Sequence, residues 1–294
     1  MAKMEQLTTR AADKMGLVHA SQIPASAGSV VRNAEEDGLY SKILMDSQKN
    51  YWFAKQNEEG STSYKLFIFD HHHGILKSHA IEGQPNFYEF ESCVVVACEG
   101  DGSKGSVLLF SKTEPELLKE WKVNGFLWEV EMDGDCLYIS TYIAEENQAV
   151  LYIITDGKKK RVNLGSNFAP TDILAANGRI HVSCAPVLSG DPKKIMVLSS
   201  KGKLLSEHKL SISPRAIYEV GDEIMIYELD LATGKSEKIV YLNTETGEQK
   251  EHSIPHSQVV ECTCQSLSLI QPDSNTLFTW DHHNRKIVES RKVV

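Results

Sequence analysis

The chain has 294 residues, with 31 Lys and Arg against 40 Asp and Glu, a net charge of −9. Hydrophobic residues make up 41% and charged residues 24%, which excludes a disordered or collagen-like chain. The acidic balance argues against a general nucleic-acid binder, which needs a basic face to release counterions.

Residues 1–38 read as an extension. Met4, Leu7, Ala11, Met15 and Val18 fall near helical spacing, which predicts a short amphipathic helix, and Ala25–Gly28 reads as a linker. The first 30 residues hold no uninterrupted apolar stretch of signal-peptide length, and no segment approaches ~18 consecutive apolar residues. No membrane association is therefore expected. The six cysteines, Cys93, Cys98, Cys136, Cys184, Cys262 and Cys264, sit mostly inside apolar runs. They read as reduced core thiols in a cytoplasmic protein.

From residue 39 onward one fragment recurs: a short apolar strand, a polar turn, and a more polar strand. The apolar strands end at Phe69, Phe110, Ile154, Leu198, Leu242 and Trp280, with spacings of 41, 44, 44, 44 and 38. A second register agrees: Phe126, Pro170 and Pro214 are 44 apart, as are Cys136, Ile180 and Ile224. Between these markers Asp133–Gly134 and Asn177–Gly178 read as two-residue hairpin turns, since both pairs tolerate positive φ. Each unit then holds four short strands. The units fall at about 39–82, 83–124, 125–165, 166–211, 212–254 and 255–294. The last ends in Lys286–Val294, its own outermost strand. Four antiparallel strands per ~40–45 residues predict a propeller blade, because one such sheet has two apolar faces and can bury them only against neighbouring sheets. The expectation is an all-β, six-bladed β-propeller over residues 39–294 with a short N-terminal helical extension. A seventh, degenerate unit within 1–38 is the alternative.

The stretch Pro170–Ile173 followed by Asn177–Val182 resembles an inner-strand hairpin of the β-propeller superfamily, loosely of the YVTN/WD40-like bacterial kind. The resemblance covers residues 39–294. No Gly-His and Trp-Asp pairs recur at the period, and Trp280–Asp281 is the only Trp-Asp. What it implies is a fold and not a function.

Asp70–Gly74 and Asp281–Asn284 are His-rich segments in matching turns. A shared metal site would need ligands about 2 Å from one ion, whereas facing sheets lie ~10 Å apart, so repeat ancestry and solvated turns explain the match. Cys262 and Cys264 share a strand face with no further ligands at a recognisable spacing and read as core. Lys158–Arg161 reads as a solvated basic run, with an acidic-partner patch as the lesser reading. No P-loop, dinucleotide fingerprint, nucleophile elbow or His-Glu-x-x-His is present, and neither a cofactor nor a metal is called for.

In a propeller the innermost strands line the axis, and the loops entering them converge on one face. In phase with Pro85, Pro170 and Pro214, this puts Asn86, Trp128, Asp172, Arg215 and Gln258 near the channel mouth, with His256 just before. They form a candidate face for a protein or peptide partner, or for a small molecule. The alternative is a lactonase- or lyase-like enzyme with a site in the channel, whose calcium-dependent forms need converging oxygen ligands. Glu89, Glu129, Asp172 and Glu261 lie on inner strands, but with Glu129 aligned to Ile173 they do not share one phase. Binding is preferred, and catalysis is left open.

Overall fold

The computed structural model describes residues 40–58, 60–72, 74–100, 103–187, 190–228, 236–263, 265–271 and 274–292. The predicted N-terminal helix, the linker, the alternative seventh unit, His73 and Cys264 lie outside the described residues. The described residues form an all-β structure. The first sheet is the meander β1 (Tyr40–Met45), β2 (Tyr51–Gln56), β3 (Ser63–Phe69) and β4 (Ile75–Glu82). The second is β5 (Gln84–Glu89), β6 (Cys93–Glu99), β7 (Lys104–Ser111) and β8 (Leu117–Asn124). The third is β9 (Phe126–Asp133), β10 (Cys136–Ile143), β11 (Gln148–Thr155) and β12 (Lys158–Ser166). The fourth is β13 (Phe168–Ala176), β14 (Arg179–Pro186), β15 (Lys194–Ser199) and β16 (Leu204–Lys209). Next come β17 (Pro214–Val220), β18 (Glu223–Glu228), β19 (Ser236–Leu242) and the long β20 (Gln249–Cys262), then β21 (Ser266–Gln271), β22 (Thr276–Asp281) and β23 (Lys286–Lys292). The first half of β20 pairs with β19 as the outer strand of the fifth sheet. Its second half pairs with β21 as the inner strand of the sixth. Six four-stranded antiparallel sheets result, one in each unit of the sequence period.

Burial follows strand position. In the second sheet the central strand Cys93–Cys98 is buried on both faces, which is why its sequence is an unbroken apolar run rather than an alternating one. The outer strands β4, β8 and β12 are exposed except at one position, filled by Ile81, Val123 and Leu164. Sheets join at a left-handed backbone step, Gly83 before β5, Gly125 before β9 and Asn167 before β13. At Gly83, φ is +95°, and an added Cβ would lie 2.0 Å from the Glu99 carbonyl oxygen, so only glycine fits there.

The chain divides into two compact units at Leu127/Trp128. In the N-terminal unit, Leu44, Trp52, Leu66, Ile68, Phe87, Val94, Val96 and Phe110 fill the layer between the first two sheets. Trp52 meets Phe110 edge-on at 5.5 Å between ring centroids. Full burial of one such side chain stabilises by about 2–3 kcal/mol. The Asp46 carboxylate closes the β1–β2 turn, accepting hydrogen bonds from the Asn50 amide at 2.8 Å and Trp52 Nε1 at 2.8 Å. Burial holds its pKa above the usual carboxylate value although those hydrogen bonds pull the other way. Lys112 Nζ, equally buried, donates to Glu89 Oε1 at 3.0 Å, Ser47 Oγ at 3.0 Å and the Phe90 carbonyl at 2.9 Å, so it ties the second sheet to the β1–β2 turn.

In the C-terminal unit three layers follow one another. Tyr138, Leu151, Phe168, Ile173, Ile180 and Val182 pack between the third and fourth sheets. Leu174, Ile195, Val197, Ile217, Ile226 and Val240 pack between the fourth and fifth. Tyr218, Met225, Tyr241, Leu267, Leu269 and Trp280 pack between the fifth and sixth. Cys184 and Cys262 pack into these layers and Cys98 into that of the N-terminal unit, none of them in a disulfide, and burial pushes Cys98 up to about 12.

Candidate binding face

The inner strands β9, β13, β17 and the second half of β20 begin their four sheets in the C-terminal unit. β13 carries the carboxylate of Asp172, which is fully buried. Its Oδ1 accepts the Ile173 amide at 2.8 Å, and its Oδ2 accepts the Ile217 amide of β17 at 2.7 Å. One residue earlier, Thr171 Oγ1 donates to the Pro214 carbonyl at 2.9 Å. Two adjacent inner strands of different sheets are thus stitched together by side chains where no ladder hydrogen bonds can run. Bulges between Pro170 and Asp172 and between Pro214 and Ala216 free the groups that do this.

The strand registers sort the sequence candidates into two rows. Asp172 faces Ser183 across its pair, Asn86 faces Ala97 and Gln258 faces Ile270, one equivalent place in three sheets. Trp128 and Arg215 stand one place earlier, level with Thr171. Their neighbours in the Asp172 row are Glu129 and Ala216. Glu129 is buried and accepts the Val130 amide at 3.1 Å, as Asp172 does with Ile173. Aligning Glu129 with Ile173 was therefore an error of one residue. Asp133–Gly134 looked like the turn, but Gly134 and Asp135 form it, so the third unit is 43 residues from the fourth here and not 44.

The two rows differ in access. Trp128 is 43% exposed and Phe126, two residues before on the same side of β9, is 44% exposed, while Leu127 and Glu129 between and beyond them are buried. Arg215 is exposed on β17 and Thr171 half-buried on β13. His256 is half-buried on β20, and Asn86 is half-buried on β5 of the other unit. Asp172, expected at a mouth, lies wholly beneath the surface with both carboxylate oxygens engaged.

The two His-rich turns differ. Asp70 Oδ1 accepts the His72 and Gly74 amides at 2.8 and 2.9 Å, and His71 and His72 are exposed as a solvated turn requires. His282 instead is buried, with Nδ1 2.7 Å from the Tyr241 hydroxyl and Nε2 3.8 Å from Cys262 Sγ. The same tyrosine hydroxyl accepts Trp280 Nε1–H at 2.8 Å, so its own proton goes to His282 Nδ1. Desolvation lowers the His282 pKa and keeps the ring neutral. Nothing in the turn's own residues signals this, because the burying partners Tyr241 and Cys262 come from β19 and β20.

No family model matches the chain, and no curated protein matches it. Solved structures do. The β-propeller domain of Cps50 (Swd1) from Myceliophteria thermophila is 11% identical, with 87% of each chain covered and a TM-score of 0.57. Hydrazine synthase from Kuenenia stuttgartiensis is 11% identical, covering 85% of this chain and 86% of that one, at 0.60. A chain of the mitotic checkpoint complex is 8% identical, covering 86% and 79%, at 0.59. At such identities the likeness is one of fold, and the fold is that of a β-propeller. A named enzyme and a named multi-protein complex share it, so it does not choose between catalysis and binding.

Proposed function

We propose that this chain is a non-catalytic binding scaffold that engages a protein or peptide through the exposed row of its inner strands, with Trp128 and Arg215 as anchors. The observation that carries the reading is the exposure of Phe126 and Trp128 on a strand whose Leu127 and Val130 are buried. Among the described residues no other Phe, Tyr or Trp is exposed, and Trp52 and Trp280 are buried. Trp128, still 43% exposed on its strand, forgoes about 1 kcal/mol of further burial, which a bound partner would recover. Arg215 in the same row supplies a planar donor for a carboxylate or main-chain carbonyl, and aromatic and arginine side chains are the usual anchors of such interfaces. Asp172 and Thr171 support the face by holding β13 and β17 in register, and half-buried His256 lies on β20. A propeller chain within the mitotic checkpoint complex fits the same use of the fold. Free thiols suit a reducing, cytoplasmic setting. Among the described residues no helix is long and apolar enough to cross a membrane.

The test is selection of a displayed random peptide library on the immobilised protein. The wild type enriches a consensus that Trp128→Ala and Arg215→Ala each bind at least about tenfold more weakly, with melting temperatures unchanged. Peptides that bind both variants as tightly as wild type would remove this face from consideration.

A further inference from the structure

We propose that the outer edge of β12 is a strand-addition site for an extended acidic peptide, separate from the inner-strand face. β12 is an edge strand, hydrogen-bonded to β11 on one side only. Alternate residues along it turn their N–H and C=O groups away from the sheet, about four such pairs over nine residues. Lys158, Lys159, Lys160 and Arg161 are consecutive on this edge and all exposed. Since neighbouring side chains alternate across a strand, both flanks of the open edge are basic.

The fold does not require this composition. The two outer-strand positions that begin opposite the last residue of the third strand hold Ile75–Leu76, Leu117–Leu118, Leu204–Leu205 and Ile287–Val288 in four other sheets. In the third sheet the same two positions are Lys159 and Lys160. Packing then adds to the charge. Lys160 Nζ donates to the Lys201 carbonyl at 2.7 Å, and Gly202 lies so close to Val162 and Ile153 that no side chain fits there. The turn bearing Lys201 and Lys203, both exposed, is thereby held against β12. Two acidic groups sit nearby: Glu146, which pairs with Arg161 at 2.7 Å, and Asp156 in the turn before the strand. The cations outnumber them on a chain of net charge −9.

Like charge repels a second copy of β12, so the edge resists pairing with itself. The same charge attracts a strand of opposite sign, whose alternate side chains would lie ~5 Å from the lysines once main-chain hydrogen bonds form. A membrane would meet the cations but leave the edge groups unpaired, and no exposed aromatic on this edge offers a platform for nucleic-acid bases.

The experiment is fluorescence anisotropy with a labelled peptide of alternating Glu and Thr, the full-length protein, and low and high salt. The proposal predicts saturable binding that weakens with salt. Binding should fall about tenfold or more in K158Q/K159Q/K160Q, fall as much when the peptide is N-methylated at alternate residues, and persist in Trp128→Ala. Circular dichroism and the melting temperature confirm that the triple variant is folded, and the methylated peptide gives an answer with wild-type protein alone. No binding, binding indifferent to the triple substitution, equal binding of the methylated peptide, or binding only to anionic phosphatidylserine vesicles would each overturn it.

Discussion

Asp172→Ala tests whether side chains, rather than ladder hydrogen bonds, hold adjacent inner strands together. In the native protein two buried main-chain amides, those of Ile173 and Ile217, donate to its carboxylate at 2.8 and 2.7 Å. Truncation leaves both without an acceptor in a site of zero exposure. An unsatisfied buried amide costs about 1–3 kcal/mol, so the pair amounts to about 2–6 kcal/mol. Asp172→Asn keeps one acceptor and turns an amide donor toward the other N–H, for about 2–4 kcal/mol. At about 2 °C per kcal/mol for a chain of this size, the melting temperature falls by about 4–12 °C for the alanine variant. Urea melts and calorimetry read both numbers, and Thr171→Val, which removes the hydroxyl's bonds to the Pro214 carbonyl and Ser183 Oγ but leaves the Asp172 bonds in place, should fall between the wild type and Asp172→Asn. An Asp172→Ala protein that melts within about 1 °C of wild type would refute the reasoning.

Lys112→Met should destabilise the N-terminal unit by about 3–5 kcal/mol in urea melts, because it leaves the buried Glu89 carboxylate without its cation. Adding Glu89→Gln should recover part of that loss, and a double variant worse than the sum would contradict the pairing. Stability should fall as pH drops below about 6.5, the unfolded histidine value. His282 is held neutral by burial against Tyr241 and Cys262 with Arg285 nearby, so its folded pKa lies below its unfolded one, and the acid side favours the unfolded chain. Asp281 pulls the other way without reversing the direction. Melting temperature against pH should be shallower in His282→Gln than in wild type, since His79, His181 and His252 carry the same sign and remain. Parallel curves would exclude His282 as a contributor.

The blade period was legible because each third strand carries, at or next to its end, an apolar residue opposite the second strand, so Phe69, Phe110, Ile154, Leu198, Leu242 and Trp280 recur at one register place. The exposure of Phe126 and Trp128 could not be read from hydropathy, since alternation sets both against Glu129 and Glu131, and it is the acids that are buried. The role of Asp172 could not: its second acceptor bond reaches Ile217, 45 residues away, and only the three-dimensional register shows it. Glu129 was placed one residue out of phase because the hairpin turn that follows it is Gly134–Asp135 and not Asp133–Gly134, and a one-residue shift of register moves a side chain to the opposite face. His282 shows the reverse limit. Its turn looks like that of Asp70 in sequence, yet one histidine is solvated and the other is buried by Tyr241, a difference set by the neighbouring sheet.

Hydrogen exchange of the protein with and without a library-selected peptide tests the scaffold reading most directly. Added protection should concentrate in β9 and β17, around Trp128 and Arg215, and vanish in the Trp128→Ala protein. Protection confined to other strands, unchanged by that substitution, would contradict it.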